Sequence, residues 1–421
     1  MASSQRVLRP RKPKPVSEDL AQPSVKRVQR ARPKHPVERS NAPLMSLPLE
    51  LIMLILENVD SPRTLADASR VCRTLQLEAE RILYRDVYVG RVPHVRGLHR
   101  ALTKTSRRAS LVNVFEAHDN GHMTPVIPLL IEILLMLTRL EHLKLDLCVC
   151  YEKPAIYTTV VHALAQCTFK LKSFDGWVAH DSDFVHFLRR QTCLESLHLQ
   201  GFKPPAWKIP PDALSRLKYM HTYHSLVVHS ICARHAITHL HLSHSSWDDS
   251  EDLKDIPQFV RHQLISFKYK RSSSCLVRTS VWSLIPDMIN RQLMPNLRYL
   301  EVEDPSDASF LPCSDVSLMQ MDGANIALET LVWSALHNHY LYGDADNNAA
   351  ISRSRLAFVR PWAKKVLTRF SSLRRFFYVE QNIGDGNTGR TLYVWLFTLS
   401  SDDGLVEEKK EARDLPVWSD I

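Results

Sequence analysis

The sequence predicts an α/β protein: a short N-terminal three-helix module, then a solenoid of helix–strand units closed by a C-terminal hairpin. Three observations carry this reading. Helical start signals and apolar runs crowd into residues 46–89. A motif of two or three apolar anchors recurs nine times between Leu140 and Tyr378. Near the end, two strand-like stretches, Ser372–Gln381 and Thr391–Ser400, flank the turn-rich segment Ile383–Arg390.

The first element opens at Leu47-Pro48. Proline suits a first helical turn, where its missing N–H has no partner to lose, and Glu50 sets a negative charge at the positive end of the helix. Leu51 to Leu56 is then unbroken apolar sequence, so the helix needs cover on both faces. Ser61 and Pro62 give a second start signal, followed by Leu65, Ala68, Val71, Cys72 and Leu75 at helical spacing. A third segment carries Ala79, Ile82 and Leu83 and ends at Tyr84. Three helices in about 40 residues form a small core. They are either a cap on the following domain or a docking module that completes its burial in another protein.

Leu47-Pro48-x-Glu50, then Ile55-Leu56, Val59, Leu65 and Val71-Cys72-Arg73, resemble the F-box, the three-helix module that binds the Skp-family adaptor of cullin–RING ubiquitin ligases. Leu75 and Tyr84 stand where that family usually has a bulky aromatic and a tryptophan, and Leu54 where a charge is frequent. The resemblance implies adaptor contacts from Leu47, Pro48, Leu51, Leu54, Ile55, Leu65, Val71, Cys72 and Arg73.

Residues 1–43 differ in composition from the rest. Prolines are frequent and large apolar residues rare, so the stretch cannot offset the entropy of folding. Eleven Lys/Arg against three Asp/Glu give it +8 of the whole chain's +9. The remainder is therefore close to neutral. The tail reads as a nuclear-import signal, a weak nucleic-acid contact or a solvated leader. Eight cysteines are scattered through the chain, as expected of buried thiols in a reducing compartment. No secretory signal is visible, and the longest apolar segment, Val126 to Leu140, is too short and too interrupted to span a bilayer.

After a connecting region at 90–136, the recurrent unit runs through LEHLKL, LKSF, LESLHL, LKYM, ITHLHL and LISFKY to the anchors at Leu300, Leu331 and Phe376. Successive middle anchors are 31, 23, 23, 20, 27, 33, 31 and 45 residues apart. That spacing suits one helix and one short strand per unit, each burying its apolar edge on its neighbours. The pattern resembles the irregular leucine-rich repeats associated with F-boxes. The domains expected are 1–43 (disordered basic tail), 44–89 (F-box), 90–136 (connection), 137–400 (repeats) and 401–421 (flexible tail).

Sequence motifs for chemistry are sparse. There is no phosphate-cradling glycine loop, no Gly-x-Ser-x-Gly and no His-Glu-x-x-His. Cys148-Val149-Cys150 lacks the partners of a zinc site, and the histidines from His221 to His244 read as a strand face. No catalytic residue, metal or cofactor is expected. In L-x-L strands the intervening residues point away from the core. The target surface is therefore expected at His198, His239, His241, Lys268, Lys270, Tyr299 and Glu301, its centre turning more positive below about pH 6.5. The functional expectation is a substrate receptor of a ubiquitin ligase in the nucleus, the cytoplasm or both, with partners in the adaptor, the cullin and an unknown protein. The alternatives are a protein-binding scaffold outside any ligase and a nucleic-acid-associated protein acting through its basic tail.

Overall fold

The computed structural model describes residues 47–119, 121–147, 154–177, 182–200, 209, 213–223, 228, 231, 235–244, 256, 258–271, 294–304, 327–337, 345–383, 389–402 and 404–416. The basic tail, the Cys148–Cys150 pair and the centre of the 383–390 turn lie outside these residues. Two compact units are present, Met1–Ile52 and Met53–Ile421. In the first, the Pro48 carbonyl accepts the Leu51 and Ile52 N–H groups and so opens the first turn of helix α1 (Leu49–Glu57).

The second unit begins within α1 and continues through α2 (Pro62–Ala68) and α3 (Arg73–Arg85). Both starts are capped. The Thr64 N–H donates to Ser61 Oγ, with Pro62 in the first turn, and the Leu75 N–H donates to Cys72 Sγ at 3.5 Å. Strand β1 (Asp86–Val89) follows α3 directly and opens a sheet that, among the described residues, has 13 strands hydrogen-bonded in sequence order. Between β1 and β2 (Val114–Asp119) lie α4 (Val92–Lys104) and α5 (Ser106–Ala109); α6 (Ile127–Met136) leads to β3 (His142–Leu147). Next come α7 (Pro154–Gln166), β4 (Ser173–Trp177), α8 (Ser182–Arg190), β5 (Ser196–Gln200), β6 (Tyr219–Thr222) and β7 (His239–His244). The helix α9 (Gln258–Gln263) precedes β8 (Ser266–Arg271), followed by β9 (Tyr299–Asp304) and β10 (Thr330–His337). The 25-residue helix α10 (Ala345–Arg369) leads into β11 (Arg375–Ile383), β12 (Gly389–Leu399) and β13 (Leu405–Lys410).

β1 to β11 pair in parallel, in register. Phe115, Leu143, Phe174, Leu197, Met220, Leu240, Phe267, Leu300, Leu331 and Phe376 form one column on the inner face, all buried in the main core. Each such side chain contributes roughly 1.5–3 kcal/mol on burial. In the next inner column Gly176 stands between Leu145 and Leu199. A Cβ there would come within 3.1 Å of the Phe174 ring and 3.2 Å of the Leu145 carbonyl, so the absent side chain lets Phe174 fill that space.

The start of each strand is registered by a shared carbonyl. Glu141 O accepts the N–H groups of Lys172 and Ser173, Lys172 O those of Glu195 and Ser196, and Glu195 O those of Lys218 and Tyr219. The arrangement repeats as far as Glu329 O, which accepts from Arg374 and Arg375. Charge alternates along much of this column: Glu141, Lys172, Glu195 and Lys218, then Arg298, Glu329 and Arg374. Lys172 Nζ lies 2.8 Å from Glu141, and Arg298 Nε 3.9 Å from Glu329. A one-residue slip of a strand would break this alternation as well as reversing its faces.

Two expectations are corrected. Residues 90–136 are not a connection outside the repeating region, because β2 is a full member of the sheet between β1 and β3. Ala117 stands between Val89 of β1 and Leu145 of β3, where the motif would have a leucine, which hides the motif while still filling the inner column. Residues 401–421 are not simply a frayed tail. β13 pairs antiparallel with β12, and Ala412–Asp414 forms a 3-10 turn closed by reciprocal bonds between Glu411 and Asp414. β13 exposes four of its six residues, so its ladder bonds, more than burial, hold it, and the charges of LVEEKK suit an edge strand. β11 and β12 are antiparallel, with a register shift between Glu380 and Gln381.

Candidate functional site

Two regions gather exposed or polar residues of the kind that bind partners. The first is the helical segment. Ten large apolar residues are exposed among those described, and seven fall between Leu49 and Tyr88: Leu49, Leu51, Leu54, Ile55, Val71, Leu77 and Tyr88. The helical period accounts for the division in the second unit, where Leu54 and Ile55 are exposed while Leu56 is buried. Val71, in the link between α2 and α3, is 71% exposed. Of the expected adaptor contacts, Pro48 and Arg73 are also exposed, and Leu47 and Cys72 are half-buried. Leu65 differs from these: it is the buried residue of the seven-residue α2.

The second region is the outer face of the sheet. Strand alternation places all seven expected target residues there, yet most are not open to a partner. From β2 to β6 the outer side chains are half-exposed, including Glu116, Lys144, Asp175, His198 and His221. From β7 to β9 they are mostly buried, His239, His241, Ser243, Ser266, Tyr299, Glu301 and Glu303 among them.

One register row runs Glu116, Lys144, Asp175, His198, His221, His241, Lys268 and Glu301. Several of its members contact one another. Lys144 Nζ is 3.6 Å from Asp175, and His198 Nδ1 is 2.8 Å from Asp175 Oδ1. The His198 and His221 rings stack at 3.7 Å, and those of His221 and His241 at 3.6 Å. Ser243 Oγ lies 3.0 Å from His221 Nε2 and 3.2 Å from His241 Nε2. At the far end Lys268 Nζ donates to Glu301 at 2.6 Å, Lys270 Nζ is 2.6 Å from Glu303, and Tyr299 Oη donates to Glu301 at 2.8 Å.

Two expectations fail here. The strip from His239 to Lys270 is not an open basic surface, because both lysines are neutralised by glutamates. Nor does the centre gain charge near pH 6.5. Burial first, then the neighbouring imidazole (His198 beside His221, His221 beside His241) and the lysines Lys268 and Lys270, push the His221 and His241 imidazoles well below their ordinary value. Asp175 and His221 were missed because their units are shortened in sequence: Gly176 and Thr222 stand where a third apolar anchor would mark the strand.

Residues 44–89 match the family model described as F-box-like. The chain thus carries an F-box-like domain, which supports an F-box protein. Such domains generally bind Skp-family adaptors within cullin ligases, which points to an SCF ligase adaptor role in general terms. A comparison with curated proteins gave no match. Within the F-box-like domain, the buried Glu80 of α3 is held by Arg107 and Arg108 of α5, the latter at 2.7 Å, and by Gln76 at 3.1 Å. Arg108 also lies over the Tyr84 ring, 5.4 Å from its centre. Burial raises the Glu80 pKa, but the bonds from Arg108 and Gln76 and both guanidinium charges outweigh it, leaving the carboxyl below its usual range.

Among the described residues no group of three or more His, Cys, Asp or Glu is placed to hold a metal ion. No described helix is long and apolar enough to cross a membrane.

Proposed function

We propose that this chain is a substrate-receptor subunit of an SCF-type cullin–RING ubiquitin ligase. Residues 44–89 act as a three-helix F-box that seats on the Skp-family adaptor. The sheet with its helices acts as an irregular leucine-rich-like solenoid that holds a target protein. The observation that supports this most is the concentration of exposed apolar side chains in the matched segment, including Leu54, Ile55 and Val71. Several such side chains exposed in one short segment fit a surface that another protein covers. The chain performs no catalysis in this reading; it raises the local concentration of target lysines near the conjugating enzyme. The target meets the half-exposed outer face of β2 to β6, where Lys144, Asp146, His198 and Gln200 offer mixed charge suited to a complementary protein surface. The basic tail directs the chain to the nucleus, with a further share in the cytoplasm.

Affinity purification of the full chain from native cells tests this, beside a Leu54→Asp/Ile55→Asp variant. Adaptor and cullin are expected with the native chain and at least thirtyfold less with the variant, equivalent to loss of an anchor worth about 2 kcal/mol. Equal recovery of the adaptor by a folded variant, or no adaptor with the native chain, would overturn the reading.

A further inference from the structure

We infer that the outer face of β9 to β12 is an apolar binding surface for an extended leucine-proline segment, and that the chain's own Leu415-Pro416 fills it as a displaceable strap. The composition of the outer face becomes more apolar after β9, although Thr330 and Ser334 of β10 remain polar. Before β9, most outward positions are histidines, serines, lysines and acids, with Tyr88, Val114, Gln200 and Tyr219 among them. Beyond it, Val332, Phe377, Val379 and Val394, together with Tyr299, form an apolar cluster separate from the main core. Register makes the cluster contiguous: Val332 is opposite Phe377, Val379 opposite Val394, and Phe377 opposite Leu396. Its five principal members are almost completely buried, so the outer face here is a covered one.

Among the described residues, Leu415 packs on this cluster and the Pro416 carbonyl lies 3.3 Å from Tyr299 Oη. The hold is weak. A tyrosine has one hydroxyl hydrogen, and Glu301, charged and at 2.8 Å, is the better acceptor for it. Pro416 receives only the longer contact. Glu411 to Asp414 are exposed and Leu415 and Pro416 only half-buried. Beneath the strap the surface is apolar and its rim is a fixed ionic network: Tyr299 bonded to Glu301, and Glu301 to Lys268. A rigid apolar patch under a lightly held extended segment fits exchange with a similar segment of another protein. That segment belongs to the target in the receptor reading; the surface itself does not depend on the adaptor contact.

A fluorescein-labelled synthetic peptide of residues 411–421 tests this by anisotropy against the full chain and its Leu415→Asp variant. The peptide is expected to bind the variant at least tenfold more tightly than the native chain. Adding Leu396→Asp should abolish that binding, and a Leu415→Asp/Pro416→Ala peptide should not bind. Equal weak binding to native and variant chains with unchanged thermal midpoints shows that the segment is not a placeholder and overturns the inference. Loss of cooperative unfolding in the variant makes the strap part of the core and overturns it too. Binding that survives Leu396→Asp places the peptide elsewhere on the protein, which equally overturns the inference. Adaptor recovery in parallel reports separately on the F-box reading.

Discussion

Lys268 Nζ lies 2.6 Å from Glu301 Oε1 across neighbouring strands, on a part of the sheet face where both side chains are largely buried. Burial opposes the lysine charge, but Glu301 and Glu303 outweigh it and hold the amine above its usual range. Removing the cation leaves two carboxylates close together with less compensation. Lys268→Met is expected to cost about 3–5 kcal/mol in urea unfolding, and Lys268→Met with Glu301→Gln much less. A single-variant cost below about 1 kcal/mol would show that water reaches the pair.

The stacked histidines set a pH dependence. His221 and His241 have folded values well below the ordinary 6.5, with burial the largest cause. The unfolded chain therefore binds more protons than the folded one once pH falls below about 6.5, and stability drops as pH falls. Each group contributes up to about 1.4 kcal/mol per pH unit in that window. The charged groups facing the stack are Asp175 beyond His198 and Lys268 and Lys270 beyond His241. Asp175 acts in a lower window. Burial tends to raise its value, but His198 and Lys144 bring it below the ordinary 3.8, so its stabilisation is lost only as pH falls through that depressed value. Replacing His221 and His241 together by Asn should flatten the stability profile below about pH 6.5. An unchanged slope would remove the histidines from the explanation.

Glu80 ties α3 to α5 through Arg107 and Arg108. Glu80→Ala is expected to cost about 1–3 kcal/mol, because both arginines keep some contact with water when the carboxylate is gone. Hydrogen exchange should rise along residues 73–85 while β3 to β5 stay protected. Exchange that rises equally everywhere would mean that Glu80 supports the whole unit.

Cys167 is buried, donating its S–H to the Ala163 carbonyl at 3.3 Å, and burial pushes its thiol up to about 12. Since the thiolate is the reactive form, iodoacetamide at pH 8 should leave Cys167 unmodified in the native protein and label it after unfolding. Native-state labelling at a rate like that of the half-buried Cys193 would place Cys167 near the surface.

Much of the sheet was legible because its rule is local. Leu143, Leu197, Leu240 and Leu300 announce strands whose period of two fixes which residues point outward. Where the anchor residue is small or polar, as at Ala117, Gly176 and Thr222, the same rule operates but leaves no leucine to read. β13 was illegible for a different reason: an edge strand is held by ladder bonds to β12, and those bonds leave almost no trace in side-chain type.

The helical module was read from Leu47-Pro48, the apolar run to Leu56 and Val71-Cys72-Arg73, and a family model matches the same residues, 44–89. By itself the sequence determined the α/β class, the apolar helical segment and the sidedness of His198, His241, Lys268 and Glu301. Periodicity and capping are properties of neighbours along the chain. Only the tertiary structure decided which outward residues are reachable. Lys268 meets Glu301 from 33 residues away, and Tyr299 meets Pro416 from 117. Burial and charge compensation depend on what the rest of the chain lays over a position, and no local pattern carries that.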